Sequence, residues 1–305
     1  MSLKKRFFVP DYFRMAHKSG FVNIVGSPNV GKSTLMNQLM GEKLSIVTSK
    51  AQTTRHRILG IMNDENYQVV FSDTPGVVNA AYKLHENMMD YVNTSLKDAD
   101  ILLFITDTKE NETNHKETLD RIKKLRIPVL CLINKIDLSD EEGVKERITY
   151  WSEQLPDAKI FPVSALHNFN IDAIWETILE LLPESPPYFD KEAISDRPMR
   201  FFVSEIIREK IFIHTQKEVP YACQVEIEEY IEDGDITRIR ALIIVERNSQ
   251  KGIIIGKGGE MLKRIGKEAR KEIEKFIDNK VYLETFVKVD KDWRASEQKL
   301  KKYGY

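Results

Sequence analysis

The sequence predicts an α/β fold in two parts: a doubly wound, mostly parallel domain over residues 18–183 and a smaller α+β domain over 198–305. Three observations carry that expectation. Strand-length apolar runs alternate with helical patterns up to about residue 182. A proline-rich break, Pro183–Glu184–Ser185–Pro186–Pro187, then interrupts them, because proline has no amide donor and restricts its predecessor. Beyond the break the order of elements changes.

The first strands are expected at Phe21–Val25, Val69–Ser72, Ile101–Thr106, Val129–Ile133 and Ile160–Val163, with a further pairing strand near Ile58–Met62. Helices are expected at 32–40, 84–96, 113–125, 141–154 and 171–182. In the last, Ile171, Ile174, Trp175, Ile178, Leu181 and Leu182 recur at helical spacing. Strands this apolar suit burial on both faces, as in a parallel sheet between helical layers. After a linker at 184–197, the pattern reads as a helix near 199–210 and strands near 221–231 and 236–247. A short helix, a helix at 259–277 and a strand at 281–289 follow.

Composition excludes several classes. Hydrophobic residues make up 42% and charged residues 30%, which fits a globular rather than a disordered chain. No apolar run approaches the roughly 18–20 residues of a membrane span. The only cysteines, Cys131 and Cys223, lie in apolar strand-like segments; that argues against a disulfide framework and for a reducing cytoplasmic setting. The six histidines lack zinc-ligand spacing. Residues 1–17 carry Lys4, Lys5 and Arg6 without an apolar cleavage signal, so they read as a tail of unassigned role.

Gly26–Ser27–Pro28–Asn29–Val30–Gly31–Lys32–Ser33 matches G-x-x-x-x-G-K-[ST] between a strand and a helix, with Thr34 following. Backbone amides there can wrap a phosphate chain, Lys32 can reach the β- and γ-phosphates, and Ser33 can ligate Mg²⁺. Asp73–Thr74–Pro75–Gly76 follows another strand; Asp73 suits Mg²⁺ through water, and the Gly76 amide suits γ-phosphate sensing. Asn134–Lys135–Ile136–Asp137 identifies the base. Guanine presents two parallel donors to one carboxylate, here Asp137, and adenine does not. Ser164–Ala165–Leu166 can add the Ala165 amide to guanine O6. All four segments fall at the carboxyl ends of candidate strands, where open α/β sheets bind ligands. GTP and GDP are therefore the expected ligands. In Gln52–Thr53–Thr54–Arg55, Thr54 is preferred over Thr53 as the Mg²⁺ ligand and γ-phosphate sensor, so Lys32, Thr54 and Gly76 are the expected catalytic set.

The string Lys50–Ala51–Gln52–Thr53–Thr54–Arg55–His56–Arg57–Ile58, with the two phosphate motifs, resembles the Era branch of the translation-factor-like GTPases. The resemblance runs over about residues 20–305 and continues through Phe202–Lys210, Pro220–Tyr221, Val245–Arg247 and Trp293. Ras-type enzymes place a water-orienting glutamine after Asp-x-x-Gly; here that position is Val77. The family carries a hydrophobic residue there and still hydrolyses GTP, so the resemblance implies hydrolysis without that glutamine, at a slow intrinsic rate. It also implies a K⁺ role for Asn29.

Ile255–Gly256–Lys257–Gly258–Gly259 holds G-x-x-G between two helical segments, with Lys263, Arg264, Lys267 and Arg270 beyond. Residues 251–275 contain eight basic and four acidic residues, a run that on charge alone reads as a solvated helix face. Placed in its α-β-β-α-α-β order, the loop resembles a type II KH domain, whose glycines admit an RNA backbone. For most of Ile254, Ile255, Leu262 and Ile265, core packing is expected. The family resemblance implies that this module binds the 3′ region of 16S rRNA in a precursor of the 30S subunit. It further implies a monomer with peripheral contact to the inner membrane. Two other readings stay open: a nucleotide-gated RNA-binding protein without useful hydrolysis, and a membrane-associated signalling GTPase.

Overall fold

The computed structural model describes residues 17–77, 82–110 and 116–305. Most of the expected tail and the start of the helix expected at 113 therefore lie outside the described residues. The first half comprises β1 (Lys18–Val25), α1 (Lys32–Met40), β2 (Ile58–Asn63), β3 (Tyr67–Asp73), α2 (Lys83–Lys97) and β4 (Ile101–Asp107). It continues with α3 (Lys116–Ile122), β5 (Val129–Asn134), α4 (Glu141–Gln154), β6 (Lys159–Pro162) and α5 (Ile171–Leu181). The second half comprises α6 (Met199–His214), β7 (Gln224–Asp233), β8 (Ile236–Val245), α7 (Asn248–Ile255), α8 (Glu260–Ile277), β9 (Lys280–Val289) and α9 (Glu297–Lys302).

The first sheet runs β2-β3-β1-β4-β5-β6, with only β2 antiparallel to its neighbour. All seven residues of β4 are buried, which requires a helical layer on each face. Leu35 and Met36 of α1 and Ile174 and Ile178 of α5 pack on one face. Val92 of α2, Leu119 of α3 and Trp151 of α4 pack on the other. The resulting register sets Asp73 beside Ile24 and Asn134 beside Asp107, so motif-bearing loops emerge along one edge.

The second sheet runs β7-β8-β9, antiparallel and then parallel. Ile207 and Ile211 of α6 and Ile265, Ala269 and Ile273 of α8 close its core over Ile239, Ala241 and Ile243. Ile254 and Ile265 are fully buried here. The terminal helix α9 is an element beyond those the pattern suggested.

Residues 184–197 are tied down along the open edge of β2. Ile61 N donates to Ile194 O (2.9 Å), Asn63 Nδ2 to Ala193 O (3.0 Å) and Ser195 Oγ to Leu59 O (2.5 Å). An edge strand exposes unpaired backbone groups, and this stretch satisfies them. His17, assigned to the tail by sequence, is likewise held: its carbonyl accepts from Ser185 N at 3.0 Å.

The two halves share a further apolar cluster in which Leu84 and Met88 of α2 meet Ile244, Trp293, Leu300 and Tyr303. His56 stacks on Tyr305 at 4.3 Å and meets Phe201 edge-on at 5.5 Å. Burial pushes the His56 imidazole down to about 3, against the opposing pull of Glu205. An unfolded imidazole takes up a proton near pH 6.5 that the folded one refuses, so stability should fall as pH drops from 6.5 towards 3. Denaturant titrations at pH 7 and pH 5 should show the wild type losing about 2 kcal/mol more than His56→Phe. Equal losses would remove His56 as the cause.

Candidate functional site

The loop from Gly26 to Gly31 joins β1 to α1. Two of its glycines have no side-chain alternative. A Cβ on Gly26 would lie 2.1 Å from Ile105 O, and one on Gly31 (φ 103°) would lie 2.2 Å from Asn134 Nδ2. Lys32 folds back across the loop, donating to Gly26 O (3.0 Å) and Ser27 O (2.6 Å). Burial lowers its ammonium to about 8, although Asp73 and Glu110 pull upward. A cation this desolvated gains most from a polyanion brought to it.

Ser33 Oγ donates to Asp73 Oδ2 at 2.6 Å and lies 3.0 Å from Thr54 Oγ1. Asp73 is buried, and burial raises its carboxyl despite the Ser33 hydrogen bond and the Lys32 charge. Its Oδ1 has no partner. Two hydroxyls around a carboxylate with an unsatisfied oxygen form a hard donor set that fits Mg²⁺ together with phosphate oxygens and water. Bound there, Mg²⁺ would neutralise charge on the β- and γ-phosphates. Thr53 turns elsewhere: its hydroxyl bonds Thr48 Oγ1 (2.7 Å) and Lys50 O (2.8 Å).

At the other end, Asn134 ties three loops together. It donates to Val30 O (2.7 Å) and accepts from Ala165 N (2.9 Å). Ser164 Oγ donates to Asp137 Oδ1 at 2.5 Å, fixing the carboxylate, and Lys135 pairs with Asp107 at 2.8 Å. Leu166 is 69% exposed at the rim. A cavity of about 470 Å³ connects these groups, lined from Pro28, Asn29, Gly31–Thr34 and Gly76 to Asn134, Lys135, Asp137, Leu138 and Leu166. Thr74 is buried with its hydroxyl on Ile24 O (2.8 Å), and a Cβ on Gly76 would meet Pro28 Cα at 2.7 Å. Asn29 Nδ2 donates to Ser49 O at 3.0 Å. Val77 packs into the apolar cluster behind the site while its amide holds Gly26 O (3.2 Å).

Sequence reasoning missed the roof. Ile46–Lys50 and Gln52 also line the cavity, and the same segment bonds the second half of the chain. Val47 N donates to Glu209 Oε1 (3.0 Å), and Lys50 Nζ caps the Phe212 and Thr215 carbonyls at the end of α6. Arg55 donates to the carbonyls of Cys223 (2.7 Å), Tyr221 (2.9 Å) and Pro220 (3.3 Å). These partners lie more than 160 residues away, and no local pattern announces them.

In the second half, α7 ends at Ile255, and Gly256 (φ 73°, ψ 174°) turns the chain into Lys257, Gly258 and Gly259 before α8. Lys257, Lys263, Arg264, Lys267 and Arg270 are exposed, whereas Ile255 is half-buried. Two acidic residues of α8 are engaged away from this set, Glu268 with His214 and Glu272 with Lys43 and Lys210, while Glu274 pairs with Arg270 and Val281 N; at the helix start only Glu260 stands against Lys257, Lys263, Arg264 and Lys267. The exposed side of this helix start is thus net basic.

The fold and this site define a P-loop GTPase domain followed by a KH domain. A family model described as "50S ribosome-binding GTPase" matches residues 21–135, and a KH-domain model matches 218–294. The GTPase Era of Geotalea uraniireducens is 47% identical over 290 residues, covering 94% of this chain and 98% of that protein. The GTPase Era of Staphylococcus haemolyticus is 43% identical over 291 residues, covering 95% and 97%. A crystal structure of Era with MgGDPNP and nucleotides 1506–1542 of 16S ribosomal RNA is 41% identical, with a TM-score of 0.90 over 95% of this chain and 99% of that one. An Aquifex aeolicus Era variant bound to GDP and AlF₄⁻ has the same identity and TM-score, covering 94% and 99%. The chain belongs to the Era family of GTPases, which hydrolyse GTP to GDP with Mg²⁺.

The depressed Lys32 gives a direct check. Above pH 8 its ammonium loses a proton, and the phosphate chain should restore it. Calorimetry of GDP binding in buffers of differing ionisation enthalpy should show proton uptake at pH 8.5 and none attributable to Lys32 at pH 6.5, with Lys32→Met abolishing the difference.

Proposed function

We propose that the protein is a GTP-controlled binder of the 3′ region of 16S rRNA that acts in assembly of the 30S subunit, working as a monomer in the cytoplasm. The observation that carries this reading is that one segment, 47–55, lines the nucleotide cavity and hydrogen-bonds the KH domain. A solved Era of 41% identity that holds 16S rRNA nucleotides together with MgGDPNP supports the choice of RNA. Two buried, unpaired cysteines fit a reducing compartment. No helix among the described residues is long and apolar enough to cross a membrane, so any contact with the inner membrane is peripheral in this reading.

The proposed units are a GTPase domain at 18–183, a docked linker at 184–197 and a KH domain at 198–305. Within the first, Gly26–Thr34 cradles the phosphates, with Lys32 on the β- and γ-oxygens. Ser33, Thr54 and Asp73 hold Mg²⁺, the last through water, and Asn29 is the K⁺ candidate. Thr74 and Pro75 shape the turn that presents the Gly76 amide to the γ-phosphate. Asn134, Lys135 and Asp137, with Ser164–Leu166, enclose guanine. In the KH domain, Ile255–Gly259 receives the RNA backbone, and Lys263, Arg264, Lys267 and Arg270 extend the basic surface.

Val77 cannot orient water, so intrinsic hydrolysis should be slow, on the order of Ras alone or modestly faster. The RNA assignment is tested with an oligonucleotide of the 16S 3′ end and the exposed-face variant Lys257→Glu/Lys267→Glu. That variant should bind RNA about tenfold or more weakly, with a shallower salt dependence, and keep wild-type GDP affinity. Unchanged RNA affinity would remove this face from the binding surface.

A further inference from the structure

Residues 54 and 55, adjacent in one loop, make contacts in different domains. The Thr54 hydroxyl lies 3.0 Å from Ser33 Oγ, which in turn donates to Asp73. The Arg55 guanidinium enters the KH domain and is only 2% exposed. There it meets three carbonyls at the short turn Pro220–Ala222 and Cys223, and it lies over the rings of Trp293 (5.8 Å) and Phe212 (6.0 Å). A buried guanidinium stays put only where its donors are satisfied, so this socket defines one position for Arg55. The adjoining Cα can then move little, and the Thr54 hydroxyl is carried with it.

We propose that Arg55 is a positioning residue for GTP hydrolysis: seated in the KH domain's carbonyl socket, it sets the Thr54 hydroxyl against Ser33 and Asp73. The KH domain thereby supplies part of the order that the GTPase site needs, without touching the nucleotide. Lys50 and Val47 hold the other side of the same loop on α6, so Thr54 sits between two anchors in the second domain. The inference rests on the Mg²⁺-ligand role proposed for Thr54.

The test uses the full-length chain with Thr54→Ala, Arg55→Lys and the double variant. Arg55→Lys keeps the charge and loses the planar fork that serves three carbonyls. Single-turnover hydrolysis at saturating GTP should fall roughly 10–100-fold in Arg55→Lys, with GDP affinity within about twofold of wild type. Amide hydrogen exchange across residues 52–57 should rise in the same variant, with GDP and with a GTP analogue bound. The double variant should be no slower than Thr54→Ala alone, because both changes remove one arrangement. Wild-type hydrolysis or unchanged exchange in Arg55→Lys, or rate losses that multiply in the double variant, would overturn the inference while leaving a slow Thr54→Ala to support the nucleotide-site reading. Wild-type hydrolysis in Thr54→Ala would overturn that reading, and this inference with it. Should Arg55→Lys lose its fold, Phe212→Leu and Trp293→Phe loosen the socket without touching Arg55 and must give the same slowed turnover; normal turnover in both overturns the proposal.

Discussion

Burying the Arg55 guanidinium between two domains is the constraint on which the rest of the molecule turns. A desolvated cation costs several kcal/mol unless its donors find partners, and the partners here are backbone carbonyls of Pro220, Tyr221 and Cys223. Those carbonyls are available because a short turn precedes β7, and that turn is held by the Trp293 indole on Ala222 O at 3.0 Å. The loop over the nucleotide is therefore built on the KH domain as much as on its own sheet. Leu84 and Met88 of α2, the helix that follows the Asp-x-x-Gly turn, pack against the same C-terminal segment. The loop that carries Thr54 and the helix that follows the Asp-x-x-Gly turn thus both pack on one body.

Around the phosphates the structure invests in position rather than in a catalytic base. Gly26 and Gly31 admit no side chain, Lys32 is fixed across its loop, and Asn134 fastens three loops with one amide. Phosphoryl transfer depends mainly on positioning and charge stabilisation, and these features provide both. Val77, half-buried, packs against the core cluster and offers no group that could orient water. With no glutamine after Asp-x-x-Gly, slow intrinsic turnover is the expected outcome.

Much of this was legible in the sequence because the phosphate and base motifs are short-range. Gly26–Ser33, Asp73–Gly76 and Asn134–Asp137 each act within a few residues of a strand end, and alternating strand and helix patterns located those ends. The G-x-x-G loop was readable for the same reason. Less legible was everything set by partners far along the chain. The charge run at 251–275 read as a solvated helix face, yet within it Glu272 and Glu268 pair with Lys43, Lys210 and His214. Residues 184–197 read as a linker, and the structure shows them bonded along the edge of β2. Arg55 appeared only within the loop and family strings, with no role of its own, because its three carbonyl acceptors are backbone atoms that leave no trace in composition or periodicity.

Coupling between the two sites is reciprocal by thermodynamic linkage. The affinity of the full-length protein for an RNA of the 16S 3′ end should therefore be measured with GDP and with a non-hydrolysable GTP analogue, and the affinity for each nucleotide with and without that RNA. The RNA preference between nucleotide states and the nucleotide preference between RNA states should be the same factor, about fivefold or more. A factor of one in both directions would show that the shared loop carries no information between the domains.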